Sequence, residues 1–213
     1  MKELFLLSGL GADKRIFYFL DLSGYNIHHI VWIKPDRNES LSEYAKRLLP
    51  QITSEKPILM GVSFGGMVAL EIAKLIAIEK VILISSAKNS DAIPTYFKVM
   101  AMLKLQKLMP SRAIKKPNEM LFWLFGINSK EHRNLLTSIM EDTDEIFFSW
   151  AIETISQWKN STIVDRVIQI HGTNDRILNL QTADFVIEGG GHFMVVSRAK
   201  EISDIIKNVI DNS

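Results

Sequence analysis

The stretch Ile58-Leu59-Met60-Gly61-Val62-Ser63-Phe64-Gly65-Gly66-Met67-Val68-Ala69-Leu70-Glu71 constrains this chain more than any other. A short apolar run ends at a glycine-flanked serine and an amphipathic segment follows, which reads as strand, sharp turn and helix. In Gly61-x-Ser63-x-Gly65 the serine sits at the apex of a turn so tight that side chains beside it would strike the neighbouring strand and helix. Glycine is therefore required on both sides. The turn lifts the serine Oγ clear of the sheet and leaves backbone N–H groups at the helix start, where an oxyanion could be held.

The 213 residues, 47% hydrophobic and 23% charged, suffice for one substantial core with a small insertion. A formal charge of +1 from 25 basic and 24 acidic residues leaves no basic stripe for nucleic acid and no polybasic membrane anchor. The absence of cysteine excludes a disulfide framework, a thiol nucleophile and a cysteine metal site, and suits a reducing, cytoplasmic compartment. Met1-Lys2 followed by Leu4 to Ala12 superficially resembles an export signal. Glu3, the shortness of the apolar run and Asp13-Lys14-Arg15 argue against that, so the run is expected to be a buried strand. No apolar run approaches the roughly 20 residues that cross a bilayer.

Along the chain, Glu3 to Ser8 has the continuous apolar character of a central parallel strand and ends in the loop Ser8-Gly9-Leu10-Gly11-Ala12. A second strand is expected at Ile27 to Ile33, stopped by Lys34-Pro35-Asp36. Ser40-Leu41-Ser42-Glu43 is a capping box opening a helix to about Leu49, with Leu41, Tyr44 and Leu48 on one face. Strands at Ile58–Val62 and Val81–Ile84 bracket a helix from about Gly65 to Ile76. This alternation predicts a mostly parallel sheet with right-handed crossovers.

From about Ala92 to Lys159 only helical signals appear: Tyr96 to Leu108, Asn118 to Phe125, a helix capped by Asn128 with Glu131, and one from near Asp142 to Trp158. The region is rich in methionine and aromatic residues, most of them expected in a core and some in a pocket wall. The acidic group Glu141, Asp142, Asp144 and Glu145 suits a helix start better than a cation site. Strands return at Val167–His171 and Ala183–Glu188, and a helix from about Ser197 to Val209 closes the chain. The expected division is a core of 1–91 and 160–213 with a helical insertion at 92–159.

Gly172-Thr173-Asn174-Asp175 places a carboxylate just beyond one strand, and Gly189-Gly190-Gly191-His192 places an imidazole beyond the next. In a parallel sheet the carboxyl ends of all strands share one edge, so Ser63, Asp175 and His192 can converge although distant in sequence. Asp175 has a simpler reading as a turn-stabilising residue, and Asp91, after the fourth strand, is its rival as a partner for the histidine. His171 is expected to be a packing residue at a strand end. His28 and His29 are adjacent on a strand, point to opposite faces and cannot share a metal. His132 belongs to no recognisable motif.

These motifs, in this order, resemble the α/β-hydrolase-fold superfamily, and specifically a serine esterase-like member with a helical lid. The resemblance covers nearly the whole chain: the first strand and its glycine loop, the nucleophile elbow at Ser63, a lid after the following strand, His-Gly-x-x-Asp ending in Asp175 and Gly-Gly-His ending in His192. It implies Ser63 as nucleophile, His192 as general base and then acid, and Asp175 as the group that orients the imidazole. It further implies an oxyanion hole from the backbone N–H groups of Leu10 and Phe64, with no cofactor and no metal.

The chain departs from the family pattern in places. Ser8-Gly9 stands where the family often has His-Gly, Val62 stands where many relatives have histidine, and only 16 residues separate Asp175 from His192. The usual opening hairpin has no counterpart, so a sheet of about six strands is expected.

The reading that follows is a hydrolase acting on a small, fairly apolar carboxylic ester, thioester or amide through an acyl-enzyme. Activity falls as the imidazole base protonates, near the histidine reference value of ~6.5. A serine at the elbow argues against the dehalogenases and epoxide hydrolases of the superfamily, which use a carboxylate. The same side chains also support hydroxynitrile lysis, C–C bond hydrolysis or acyl transfer, and the fold also serves as a non-catalytic small-ligand receptor.

Overall fold

In the computed structural model of the chain, residues 1–95, 116–162, 164–178 and 182–211 are described. Strands β1 (Glu3–Leu7), β2 (Asn26–His29), β3 (Ile58–Val62), β4 (Lys80–Ile84), β5 (Val167–Gly172) and β6 (Phe185–Ile187) form a six-stranded sheet in the order β2-β1-β3-β4-β5-β6. Every pairing is parallel. The described helices are α1 (Leu41–Leu48), α2 (Phe64–Ala73), α3 (Glu119–Phe125), α4 (Lys130–Glu141), α5 (Glu145–Gln157), α6 (Met194–Ser197) and α7 (Ala199–Asp211).

The sheet is buried on both faces, which is why its inner strands read as unbroken apolar runs. Side chains alternate across it. Leu4, Leu6, Ile58, Met60, Ile82 and Ile84 pack with Ile202, Ile206 and Ile210 of α7. Phe5, Leu7, Leu59, Val81 and Leu83 pack with α1 and α2 through Tyr44, Leu48, Met67 and Val68. An aromatic cluster joins α5 to this second layer: Phe147 stacks on Trp32 at 5.6 Å, and Trp150 meets Tyr44 at 4.4 Å. The Trp158 indole N–H donates to the buried carboxylate of Glu71 on α2 at 2.7 Å, fastening the end of α5 to the core.

The capping box holds: the Ser40 hydroxyl accepts from Glu43 N–H, and the Glu43 carboxylate accepts from Ser40 N–H at 2.7 Å. Asn118 caps α3. Other boundaries differ from expectation, for reasons outside the local pattern. β2 ends at His29 rather than Ile33, because after Ile30 the backbone groups bond to side chains: Val31 to the Gln51 amide and Ile33 to the Tyr44 hydroxyl. α2 stops at Ala73, short of Ile76. The cap of α4 is Ser129, not Asn128, its hydroxyl accepting from His132 N–H. α5 starts at Glu145, capped by Asp144, while Asp142 pairs with Arg15.

β6 covers only Phe185–Ile187, since Gly190 N–H turns back onto the Ile187 carbonyl. The closing helix is broken at Arg198, whose backbone leaves helical geometry. The helix expected at Tyr96 to Leu108 lies outside the described residues. Among the described residues, no helix is long and apolar enough to cross a membrane.

Candidate active site

Ser63 leaves β3 with φ 52 and ψ −120, a backbone conformation that non-glycine residues rarely adopt. Its surroundings hold it there. Ser63 N–H donates to the Ile84 carbonyl at 3.0 Å, and its own carbonyl accepts from the Ser86 hydroxyl at 2.6 Å and from Gly66 N–H at 3.0 Å. The flanking glycines are steric necessities. A Cβ on Gly61 would lie 2.4 Å from the Gly65 carbonyl oxygen, and one on Gly65 would lie 2.3 Å from the Leu7 and Ser8 carbonyl oxygens.

β5 and β6 deliver the other two groups. Beyond β5 the chain turns at Gly172, where a Cβ would stand 2.1 Å from the Gly190 carbonyl oxygen, so the Asp175 and His192 loops touch backbone to backbone. Asn174 N–H donates to that same oxygen at 2.9 Å. His192 Nδ1–H donates to Asp175 Oδ2 at 2.8 Å, and the Ser63 hydroxyl donates to His192 Nε2 at 2.9 Å. A carboxylate accepts only, so Nδ1 carries the hydrogen, and in the neutral imidazole Nε2 is then the acceptor for the serine hydroxyl. Asp175 Oδ1 takes the N–H groups of Ile177 and Leu178, each at 2.9 Å.

Asp175 and His192 are buried, at 6% and 5% exposure. Burial alone pushes the Asp175 carboxyl up. The charge of protonated His192, hydrogen bonds from His192 and Leu178 N–H, and the nearby His171 N–H outweigh it and hold the group well below the usual carboxylate range. The aspartate is thereby kept ionised against the imidazole.

Phe125, the last residue of α3, sets its ring edge-on to the His192 ring at 5.4 Å, and its carbonyl accepts from Phe193 N–H at 3.0 Å. Leu10, Gly11, Val62, Ser63, Phe125 and His192 are among the residues lining a cavity of about 30 Å³ at the serine. Phe64 begins α2, so its N–H has no intrahelical acceptor. The loop carrying Leu10 passes against the serine, with a Cβ on Gly9 falling 3.4 Å from Ser63 Cβ. Gly11 and Ala12 of that loop also line a second recess of about 640 Å³, together with Trp32, Ile139 and Phe147.

The structure thus brings together Ser63, Asp175 and His192, with Leu10 and Phe64 beside them. The rival Asp91 lies instead in a short turn capped by Asn89. His28 stacks on Phe5 and His29 packs against Phe17, on opposite faces of the sheet. His132 packs against Phe19 and Phe193. Among the described residues, no group of three or more histidine or carboxylate side chains is placed to hold a metal ion.

Two contributors escape sequence reasoning. Ser8, which stands where the family often has histidine, accepts from the Trp32 indole at 3.0 Å and donates to the Ala12 carbonyl at 2.8 Å. His171 is packed as expected but also approaches Asp175 Oδ2, at 3.4 Å. Neither contact has a local signature, because each depends on a partner placed by the fold.

A serine on a strand-to-helix turn, bonded through histidine to aspartate at the carboxyl edge of a parallel sheet, defines a class of α/β proteins built around a nucleophile elbow. A profile of the alpha/beta hydrolase family matches residues 4–205, and the chain belongs to that family. Among curated proteins, none matches the chain significantly. Solved structures with a similar fold include a lipase-esterase related protein from Clostridium acetobutylicum, with a TM-score of 0.78 at 20% identity, covering 98% of this chain and 94% of that one. A thermophilic esterase from Thermogutta terrifontis gives a TM-score of 0.72 at 15% identity, with 100% and 90% covered. MenH from S. aureus gives 0.70 at 16% identity, with 99% and 94% covered.

Proposed function

We propose that the chain is a serine hydrolase that cleaves a small, fairly apolar carboxylic ester, thioester or amide through an acyl-enzyme. The observation that carries this reading is the continuous hydrogen-bonded path from the Ser63 hydroxyl through His192 to Asp175. Ser63 Oγ attacks the substrate carbonyl while His192 Nε2 takes its proton, and the backbone N–H groups of Leu10 and Phe64 receive the oxyanion. Asp175 holds the Nδ1–H tautomer and stabilises the imidazolium. His192 then protonates the leaving group, and water, activated by the same imidazole, releases the acid.

Apolar walls around the serine, among them Leu10, Ile16, Val62, Phe125, Leu136 and Val195, favour an apolar acyl or alcohol part. In this reading the described residues of the 92–159 insertion supply a lid to the core of 1–91 and 160–213, with α3 contributing Phe125 to the pocket. The enzyme needs no cofactor and works on small molecules in the cytoplasm. Esterase and lipase-esterase neighbours are in keeping with this chemistry.

The test is intact-mass labelling with a fluorophosphonate on wild type, Ser63→Ala and His192→Ala, alongside short and medium acyl nitrophenyl esters. One adduct on Ser63, lost in both variants together with ester turnover, is the expected result. Absence of an adduct on folded wild type overturns the assignment.

A further inference from the structure

We propose that His171 is a positioning residue for this site, bonded to the Leu178 carbonyl beside Asp175 with its N–H close to Oδ2, and that it thereby sets the basicity of His192. The inference rests on the triad reading above. Its basis is a hydrogen-bond chain that has one consistent direction.

Gln169 Nε2 lies 3.0 Å from the Ser86 carbonyl oxygen, an acceptor only, so the atom there is the amide nitrogen. Its remaining hydrogen points to His171 Nδ1 at 3.3 Å, making Nδ1 the acceptor. The imidazole hydrogen is therefore on Nε2, which donates to the Leu178 carbonyl at 2.7 Å and stands 3.4 Å from Asp175 Oδ2. His171 is 1% exposed, so water does not compete for this N–H, which bonds the Leu178 carbonyl while lying 3.4 Å from the carboxylate oxygen.

Oδ2 is the oxygen that receives His192 Nδ1–H, whereas Oδ1 is occupied by the Ile177 and Leu178 N–H groups. Among the described residues, the ionisable side chains facing the carboxylate are His192, from the loop after β6, and His171, from β5. Those in contact with His192 are Asp175 and Ser63, and the Phe125 ring covers its edge. The positive end of the His171 N–H dipole, whose nitrogen is 3.4 Å from Oδ2, stabilises charge on the oxygen that binds His192, which weakens the hold of Asp175 on the imidazolium. Through the Leu178 carbonyl the same N–H also pins the segment whose amides fix Oδ1. His171 thus governs both the orientation and the charge of the aspartate without touching substrate.

The test compares His171→Asn, whose amide is too short to put a donor at the Nε2 position, with His171→Gln, which reaches it. Both are polar, and folding is checked by thermal melting. The readout is NMR titration of the His192 ring, assigned with His192→Gln, together with kcat and KM on a nitrophenyl ester. In His171→Asn the His192 titration midpoint rises by about half a pH unit or more, as loss of a buried N–H dipole beside the carboxylate requires.

Loss of the Leu178 anchor at the same time lets Asp175 reorient, so kcat falls about fivefold while KM stays within about twofold, the effect of one hydrogen bond that positions the aspartate. His171→Gln restores both. A His192 midpoint identical in wild type and both folded variants overturns the proposal. A shifted midpoint in a protein that fluorophosphonate does not label leaves His171 in its role and overturns the hydrolase reading instead.

Discussion

The Trp32 indole N–H donates to the Ser8 hydroxyl at 3.0 Å, and that hydroxyl in turn donates to the Ala12 carbonyl at 2.8 Å. A residue beyond β2 therefore pins both ends of the loop that presents Leu10 to Ser63. Ala12 N–H closes the same loop onto the Gly9 carbonyl at 3.1 Å. Trp32 is itself held by stacking on Phe147 of α5, so the loop is coupled to the helical segment between β4 and β5.

Trp32→Phe keeps the aromatic packing and removes the donor to Ser8. A neutral hydrogen bond is worth about 1 kcal/mol, so kcat on a nitrophenyl ester should fall about fivefold while fluorophosphonate still labels Ser63. Steady-state kinetics check it, and Ser8→Ala should give a loss of similar size.

The strained backbone at Ser63, φ 52, gives a stability prediction that separates the side chain from the backbone. Ser63→Ala retains the Cβ and so retains the strain, whereas Ser63→Gly relieves it. Ser63→Gly should exceed Ser63→Ala in stability by about 1 kcal/mol, after the entropy cost of glycine in the unfolded chain. Urea denaturation of the two variants measures the difference.

Gly172→Ala places a Cβ 2.1 Å from the Gly190 carbonyl oxygen, and backbone rather than a flexible side chain must yield. The expected cost is about 3 kcal/mol, with loss of ester turnover because the His192 loop is displaced. Thermal melting together with labelling by fluorophosphonate tests both effects. A variant of wild-type stability would contradict the contact.

Acid should weaken the fold through Asp175. Its carboxyl is held well below the usual range in the folded protein, while in the unfolded chain it titrates near the reference value of ~3.9. The unfolded state therefore binds more protons as pH falls below that value. The stabilisation is complete above it and is lost progressively as pH drops toward the folded-state value. Asp175→Asn removes this dependence, so the stability gap between wild type and variant should narrow steadily below about pH 4 in denaturation curves.

Much of the architecture was legible in the residues themselves. Apolar runs located the strands, Ser40 with Glu43 marked the start of α1, and the glycines around Ser63 have no other steric explanation. Those signals are local: a period, a cap or a turn is decided by neighbours a few residues apart, and the motifs at Asp175 and His192 inherit their placement from the strands before them.

What escaped depends on partners far along the chain. Asn128 and Ser129 are equally good capping residues, and only the path of the backbone selects Ser129. β2 is cut short by the side chains of Gln51 and Tyr44, which no pattern within the strand announces. The Ser8 hydroxyl acquires its meaning from Trp32, and His171 passes from packing to positioning only when Asp175 folds back against it. The local sequence by itself determined which segments become strands and helices and which residue types stand at the sheet edge. The tertiary structure alone decided which of those residues touch, because hydrogen bonds between distant residues form only after the sheet has aligned the strand ends.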